Sequence, residues 1–241
     1  MGDIENAPYV VLLGDVGTGK STLVEKMTGQ TGSSSGSSMS YTRSTEVFWV
    51  SDSSLLVADT PGSNALEDKL EQNVWIAGAV SRRPVSKIFI VVKAEARIDS
   101  VVSNVRKYAD CFVELPMDVV AVIVTHMDAP EVKWAKKDFI PKIDKELGID
   151  TVVFSSLDAA SKTLVCNVLK TCEENYDLTV DNENFFKLFK IHNNHRKILK
   201  STSNEVNGFV AKKKAFDNAR KAFRGKNRKI SYVENTTFFI F

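Results

Sequence analysis

The segment Val10–Ser21 constrains the fold of this chain more than any other stretch of the sequence. Four apolar residues are followed by the pattern G-x-x-x-x-G-K-S, which runs from Gly14 to Ser21. Such an apolar run is typical of a buried parallel strand, and the pattern is that of a phosphate-binding loop that leads into a helix. The segment therefore predicts a strand, a nucleotide-phosphate site and then a helix over about residues 21–27.

Each residue type in this loop suits contact with phosphate. Glycine has no Cβ, so the backbone at Gly14, Gly17 and Gly19 can take positive φ and bring N–H groups against phosphate oxygens. The N-terminus of the following helix directs its positive dipole at the same anion. We expect Lys20 to reach the β- and γ-phosphates and Ser21 to ligate Mg²⁺. The predicted nucleotide-binding residues of the loop are Gly14, Asp15, Val16, Gly17, Thr18, Gly19, Lys20, Ser21 and Thr22.

Length and composition favour a cytoplasmic globular protein. The 241 residues are 43% hydrophobic and 26% charged, which suits one α/β domain of about 150–180 residues with an appendage. No run approaches the roughly 18 apolar residues of a membrane span, and Met1–Asn6 is acidic and lacks the apolar part of a secretory signal. The three cysteines, Cys111, Cys166 and Cys172, lack the spacing of a metal site, so we expect reduced thiols.

Short apolar strands alternate with amphipathic helices along residues 8–175. This alternation predicts an α/β domain with three layers, in which a mostly parallel six-stranded sheet is covered by helices on both faces. After the first strand, the predicted strands are Thr45–Val50, Leu55–Ala58, Ile88–Val92, Val119–Val124 and Thr151–Phe154. After the first helix, the predicted helices are Ala65–Ser81, Ile98–Val113, Val132–Leu147 and Ala159–Glu173.

A second phosphate-related motif, D-x-x-G, follows the predicted strand that ends at Ala58. Its carboxylate, Asp59, is placed to hold Mg²⁺, usually through water. Its glycine, Gly62, can direct a backbone N–H at the γ-phosphate, which would make the next loop a sensor of the nucleotide.

A third motif distinguishes the bases. Thr125–Asp128 resembles the guanine-reading motif N/T-K-x-D of the GTPase superfamily, in which the aspartate accepts hydrogen bonds from guanine N1–H and the 2-amino group. His126 replaces the usual lysine, and an imidazole can stack on the base instead. The alternative is an ordinary solvated turn after a strand. The loop after the sixth strand matches the weaker S-A-K/L pattern that contacts guanine O6, and it contributes Ser155, Ser156 and Leu157.

Taken together, residues 8–175 resemble a P-loop GTPase domain of the translation-factor-related class. Within that class the closest resemblance is to GIMAP/AIG-type proteins, which are related to Toc GTPases and septins. The supporting segments are G-D-V-G-T-G-K-S, Thr42–Thr45, V-A-D-T-P-G and Ile76–Val92. The resemblance implies GTP or GDP with Mg²⁺ as the ligands, and Thr42 as the switch threonine, with Ser40, Ser44 and Thr45 as alternatives. The implied Mg²⁺ ligands are Ser21, Thr42 and Asp59.

Two departures from the Ras-like pattern predict slow hydrolysis. Ras-like enzymes have a glutamine after D-x-x-G, whereas this chain has Ser63 and then Asn64. Val16 stands where those enzymes keep a glycine that leaves room for an arginine finger. We therefore expect catalysis to be completed by another chain, with Lys20, Thr42, Gly62 and Ser63 as this chain's catalytic residues.

Three classes of function remain open at this point. They are a switch GTPase with real turnover, a GTP-loaded assembly module with negligible turnover, and an ATPase with a degenerate base motif. The GIMAP, septin and Toc resemblance implies pairing of G domains, so we expect a GTP-dependent homodimer. Arg97 is a candidate to act across such a face, or an ordinary exposed arginine.

The C-terminal part of the chain is basic. Residues 182–241 hold 14 Lys and Arg against 4 Asp and Glu, a net charge of +10, which leaves −8 for residues 1–181. We expect a linker over Tyr176–Asn184 and a helical extension over 185–241, in which Phe209, Phe216 and Phe223 share one side of a helix. This extension can fold back on the acidic domain, adsorb to an anionic membrane surface, or bind RNA.

Overall fold

The computed structural model describes residues 7–29, 44–51, 54–63, 69–155 and 174–181, with residues 165, 167, 168 and 184. All of these belong to the first of two units, Met1–Phe189, and the second comprises Lys190–Phe241. The predicted helix over Ala159–Glu173 lies outside the described residues except at 165, 167 and 168, which are helical. The predicted extension over 185–241 lies outside them entirely.

A six-stranded sheet forms the centre of the first unit, as the alternation of strands and helices predicts. Its order is β2-β3-β1-β4-β6-β7, and all neighbours run parallel except β2 and β3. The strands are β1 (Tyr9–Leu13), β2 (Glu46–Val50), β3 (Leu55–Asp59), β4 (Lys87–Lys93), β6 (Val120–Thr125) and β7 (Val152–Phe154). A separate pair is formed by β5 (Phe112–Val113) and β8 (Thr179–Val180).

The central strands β1, β4 and β6 are almost continuously apolar because both of their faces are buried. Edge strand β2 is only partly buried and pairs on one side only. The helices are α1 (Lys20–Thr28), α2 (Lys69–Ser81), α3 (Ile98–Ala109) and α4 (Lys136–Leu147). Among the described helices, none is both long and apolar enough to cross a membrane.

The structure corrects the predicted end of one helix and the start of another. Helix α3 ends at Ala109 rather than Val113, because the chain turns at Asp110 and then enters β5. Helix α4 begins at Lys136 rather than Val132, and the Asp138 carboxylate accepts a hydrogen bond from the Ala135 N–H at this end.

The described part of the predicted linker pairs with the domain. Tyr176 and Val85 exchange two backbone hydrogen bonds, of 2.8 and 2.9 Å. Strand β8 then pairs antiparallel with β5, and the Asp181 N–H donates to the Cys111 carbonyl at 2.7 Å. The segment 176–181 is therefore part of the folded unit rather than a linker, because its backbone groups are satisfied by the domain.

Parallel strand direction determines where loops gather. The carboxyl ends of β1, β3, β4, β6 and β7 all lie at one edge of the sheet, and β1 is the strand at which the order reverses. Open α/β sheets bind ligands at this edge, beside such a reversal.

Candidate nucleotide-binding site

The glycine-rich loop between β1 and α1 has the backbone that anion binding requires. Gly17 and Gly19 have φ of 77° and 90°, in the left-handed region that favours glycine. Gly19 immediately precedes α1, whose first residues have no side-chain cap, so the N–H groups at this end face the loop.

Gly14 differs from the sequence-based expectation, because it is not among the residues with positive φ. Its glycine identity is explained by space instead. A Cβ at this position would overlap the Val91 carbonyl oxygen of β4 and lie 2.9 Å from Thr18 Oγ1. The loop therefore lies directly against β4, and a side chain at Gly14 would push it outward.

Lys20 is buried within the loop that it follows. Its ammonium group donates to the carbonyl oxygens of Gly14 at 2.9 Å and Asp15 at 3.0 Å. Burial lowers the pKa of Lys20 from its ordinary 10.5 to about 8, and the charges of Asp59 and Asp15 oppose that shift. The side chain is thus a buried cation whose charge is partly destabilised by its surroundings, and a bound anion would stabilise that charge.

Two predicted Mg²⁺ ligands are adjacent. Ser21 Oγ, in the first turn of α1, donates to Asp59 Oδ2 at the end of β3 over 2.7 Å. Asp59 is only 1% exposed. A carboxylate and a hydroxyl are the hard oxygen ligands that Mg²⁺ prefers, and their position beside the phosphate-binding loop fits the ion.

The residues after β3 lie against the glycine-rich loop. A Cβ on Gly62 would be 2.5 Å from Val16 Cγ2 and 2.6 Å from the Val16 backbone nitrogen, so only glycine fits here. The Ser63 N–H donates to the Gly14 carbonyl at 3.4 Å, and Ser63 Oγ donates to Asp15 Oδ1 at 2.6 Å. The D-x-x-G motif and the glycine-rich loop are therefore in direct contact.

The third motif reaches the same loop through Thr125. Its Oγ1 donates to the Thr18 carbonyl at 2.9 Å and lies 2.9 Å from His126 Nδ1. His126 has φ of 56°, and its pKa is lowered, first by burial and then by the Lys93 charge, so the ring is neutral at pH 7. Asp128 is exposed. The carboxylate is thus open to a ligand at the end of β6.

The remaining predicted residues are distributed unevenly. Thr42, Ser156 and Leu157 lie outside the described residues, whereas Thr22 is half-buried in α1 and Ser155 is buried after β7. Among the alternatives to Thr42, Thr45 uses its hydroxyl to donate to the Trp75 carbonyl at 2.9 Å. Arg97 is exposed and immediately precedes α3.

One site residue was missed by the sequence analysis. Tyr108 in α3 donates its hydroxyl hydrogen to Asp15 Oδ1 at 2.6 Å, and its hydroxyl oxygen lies 2.5 Å from Ser63 Oγ. The residue type itself was the available signal. A buried tyrosine hydroxyl requires a hydrogen-bond partner, whereas a phenylalanine at the same place would require none.

Comparison with known proteins agrees with this geometry. Residues 9–125 match the sequence model of the family described as 50S ribosome-binding GTPase. No curated protein sequence matches the chain significantly.

Solved structures with low sequence identity share the fold. NFeoB from S. thermophilus, bound to GDP.AlF4⁻ and K⁺, has a TM-score of 0.51 at 20% identity, over 70% of this chain and 62% of that one. A point variant of Era from Aquifex aeolicus, bound to GDP.AlF4⁻, has a TM-score of 0.51 at 20% identity, over 70% of this chain and 57% of that one.

Era in complex with MgGDPNP and nucleotides 1506–1542 of 16S ribosomal RNA has a TM-score of 0.50 at 21% identity, over 70% of this chain and 57% of that one. This chain therefore spans about 60% of the length of these chains. The match over residues 9–125, the sheet order and the glycine-rich loop together show that this part of the chain has the fold of a P-loop GTPase domain.

Proposed function

We propose that this domain binds GTP with Mg²⁺, hydrolyses it slowly to GDP, and changes its association with partners according to the bound nucleotide. The observation that carries the proposal is the meeting of three motifs at one edge of the sheet. Ser63 Oγ bonds Asp15 at 2.6 Å, Ser21 Oγ bonds Asp59 at 2.7 Å, and Thr125 Oγ1 bonds Thr18 at 2.9 Å.

The phosphate end of the site fits a nucleoside triphosphate. Among the described residues, two carbonyls engage the Lys20 ammonium, and a phosphate oxygen would take its third hydrogen. Ser21 and Asp59 would hold Mg²⁺, which neutralises phosphate charge when bound. Thr42 completes this proposed set of ligands.

The base end supports guanine over adenine. Asp128 can accept two hydrogen bonds from the guanine edge, and adenine offers no matching pair of donors. Neutral His126 provides a flat face beside it rather than the lysine of the common motif. Ser155, Ser156 and Leu157 are proposed to contact guanine O6.

Slow turnover follows from the environment of Ser63. Its hydroxyl is engaged by Asp15 and Tyr108, so it is not directed at an attacking water, and it lacks the amide of the usual glutamine. Val16 covers the position through which an arginine finger enters in Ras-like enzymes. A second chain would have to supply the missing catalytic group.

Nucleotide-controlled homodimerisation is part of the proposal and rests on the predicted resemblance to GIMAP/AIG-type proteins. The family match supports the broader GTPase class, and the narrower subclass stays a prediction. Association with an anionic membrane through the basic segment also stays a prediction.

A second candidate is a GTPase that associates with ribosomal RNA. It is favoured by the description of the matching family and by the Era complex with 16S ribosomal RNA. The net charge of +10 over residues 182–241 gives the chain a segment suited to phosphate backbones. Binding to an RNA hairpin that weakens steeply with salt, and that is lost when residues 182–241 are deleted, would support this candidate over the membrane.

The central proposal is tested by calorimetric titration of nucleotide-stripped protein with GTP, GDP and ATP in the presence and absence of Mg²⁺. We expect tight binding of both guanine nucleotides, weak binding of ATP, and loss of GTP affinity without Mg²⁺. Equal affinities for GTP and ATP would reject the assignment of guanine, and no binding of any nucleotide would reject the site.

A further inference from the structure

Three side-chain oxygens from separate segments meet beside the glycine-rich loop. Asp15 Oδ1 lies 2.6 Å from Ser63 Oγ and 2.6 Å from the Tyr108 hydroxyl, and the two hydroxyls are 2.5 Å apart. Asp15 belongs to the glycine-rich loop, Ser63 to the loop after β3, and Tyr108 to the last turn of α3. We refer to these three residues as the Asp15–Ser63–Tyr108 cluster.

Counting hydrogens shows how the cluster is held. An ionised carboxylate brings no hydrogen and each hydroxyl brings one, so two hydrogens serve three contacts. Burial raises the pKa of Tyr108 well above its ordinary value, and the Asp15 charge raises it further, so this hydroxyl keeps its hydrogen. Tyr108 therefore always donates, either to Asp15 or to Ser63.

Burial makes the cluster costly to break. Ser63 is 4% exposed and Tyr108 is 3% exposed. A hydroxyl that loses its partner in such surroundings cannot recover a hydrogen bond from bulk water. The neighbouring Gly62 lies so close to Val16 that a Cβ at this position would overlap it.

We propose that Tyr108 is a positioning residue that holds Gly62 and Ser63 against the glycine-rich loop before nucleotide binds. The proposal rests on the proposed function, because Gly62 is the residue expected to contact the third phosphate. A loop that is already in place binds the triphosphate without first being ordered, whereas the diphosphate makes no use of it. Tyr108 thereby sets the preference for GTP over GDP without touching either.

The test compares two tyrosine-to-phenylalanine variants of the full chain. Tyr108→Phe removes the hydroxyl of the cluster. Tyr9→Phe is the matched control, because its hydroxyl is also buried and donates to the Ala79 carbonyl at 2.9 Å, away from the glycine-rich loop. The affinities for GMPPNP and GDP are measured by calorimetry. We expect Tyr108→Phe to bind GMPPNP about three- to tenfold more weakly, which corresponds to the loss of one net hydrogen bond. Its affinity for GDP should change less than about twofold. Tyr9→Phe should change neither affinity.

Hydrogen–deuterium exchange of the nucleotide-free protein gives a second readout. The Ser63 N–H donates to the Gly14 carbonyl, so we expect peptides covering residues 60–63 to exchange faster in Tyr108→Phe and at the wild-type rate in Tyr9→Phe. In the Ser63→Ala background, Tyr108→Phe should lose at least half of its effect on GMPPNP affinity, because the residue acts through Ser63. If Tyr108→Phe does not fold, the single variant Ser63→Ala replaces it in the test. Ser63→Ala should show the same loss of GMPPNP affinity with little change in GDP affinity.

Two results would overturn the positioning role: an equal loss of GMPPNP and GDP affinity in Tyr108→Phe, or unchanged exchange of residues 60–63. If the wild-type protein binds neither nucleotide, the proposed function fails, and the exchange measurement alone then decides whether Tyr108 orders the loop.

Discussion

At the scale of single residues, the protonation of Lys20 is linked to ligand binding. Burial holds the pKa of this ammonium near 8 in the free protein, although Asp59 and Asp15 favour its charge. A bound phosphate adds negative charge beside it and must raise that pKa. Because the bound state then carries more protons than the free state near pH 8, binding and proton uptake are coupled.

We predict that GTP binding takes up about half a proton per nucleotide at pH 8 and almost none at pH 6.5. At pH 8 about half of the free protein has a neutral Lys20, whereas at pH 6.5 nearly all of it is already charged. Calorimetry in buffers of different ionisation enthalpy measures the uptake directly. His126→Asn should keep the proton uptake, since desolvation lowers the pKa of that imidazole below its ordinary value. Loss of the uptake in this variant would assign the uptake to the histidine.

Replacement of Lys20 itself should abolish nucleotide binding and leave the fold intact. Lys20→Ala removes the cation, and Ser21→Asn should cripple binding through Mg²⁺. Both residues serve phosphate and Mg²⁺ rather than the core, so circular dichroism should be unchanged. Unaltered GTP affinity of Lys20→Ala in calorimetry would contradict the site assignment.

Asp128→Asn should change the base that is bound. An amide in place of the carboxylate weakens GTP and favours xanthosine triphosphate, whose 2-oxo group is an acceptor where guanine has a donor. The expected swing is about 1–3 kcal/mol, the range for hydrogen bonds to a charged group. Competition of the two triphosphates against a fluorescent GTP analogue measures it, and a wild-type preference would mean that Thr125–Asp128 is an ordinary turn.

At the scale of elements, the segment 174–181 belongs to the domain, and its pairing should be measurable. Tyr176→Pro removes the N–H that donates to the Val85 carbonyl, and Val85 is fully buried. The expected loss is about 1–3 kcal/mol in the free energy of unfolding, the cost of an unsatisfied buried backbone group.

Tyr176→Phe is the matched variant because it keeps that N–H and loses only the hydroxyl, whose exposed hydrogen bonds are to Asp118 and Glu174. It should cost less than about 1 kcal/mol in the same urea titration. Equal and negligible losses in both variants would return the segment to the role of a linker.

The elements that sequence could predict are those governed by local pattern. The strand before Gly14 and the helix after Lys20 follow from an apolar run and a loop motif that act within a few residues. Features formed by distant residues could not be read in this way. Asp15 and Tyr108 are 93 residues apart, and nothing near either residue indicates the other. Likewise, β5 was predicted as the end of a helix because its partner β8 follows much later in the chain.

At the scale of the whole molecule, we predict that the bound nucleotide controls whether two copies of the chain associate. Because no glutamine follows Gly62, we expect hydrolysis to be slow. Bound GTP should then keep the loops around Thr42 and Asp59 ordered for a longer time than it would in a fast enzyme. An ordered nucleotide face can pair with an identical face on a second copy. We therefore expect a GTP- and Mg²⁺-dependent homodimer whose hydrolysis per chain rises with concentration.

Sedimentation across micromolar concentrations decides between this dimer and a monomer with a dedicated activator. A non-hydrolysable GTP analogue should give dimers and GDP should give monomers. The same monomer mass in both states would remove dimerisation from the proposed function and leave nucleotide binding unaffected.

The hydrogen bond from Thr125 to the Thr18 carbonyl has a consequence for affinity. It links the end of β6 that is proposed to read the base directly to the loop that is proposed to bind phosphate, so the two proposed half-sites are held at a set separation. A nucleotide that docks at one half-site presents its other end to the second at a high effective concentration. Guanosine and pyrophosphate offered as separate molecules would each bind weakly, and the covalent link between them would supply most of the affinity.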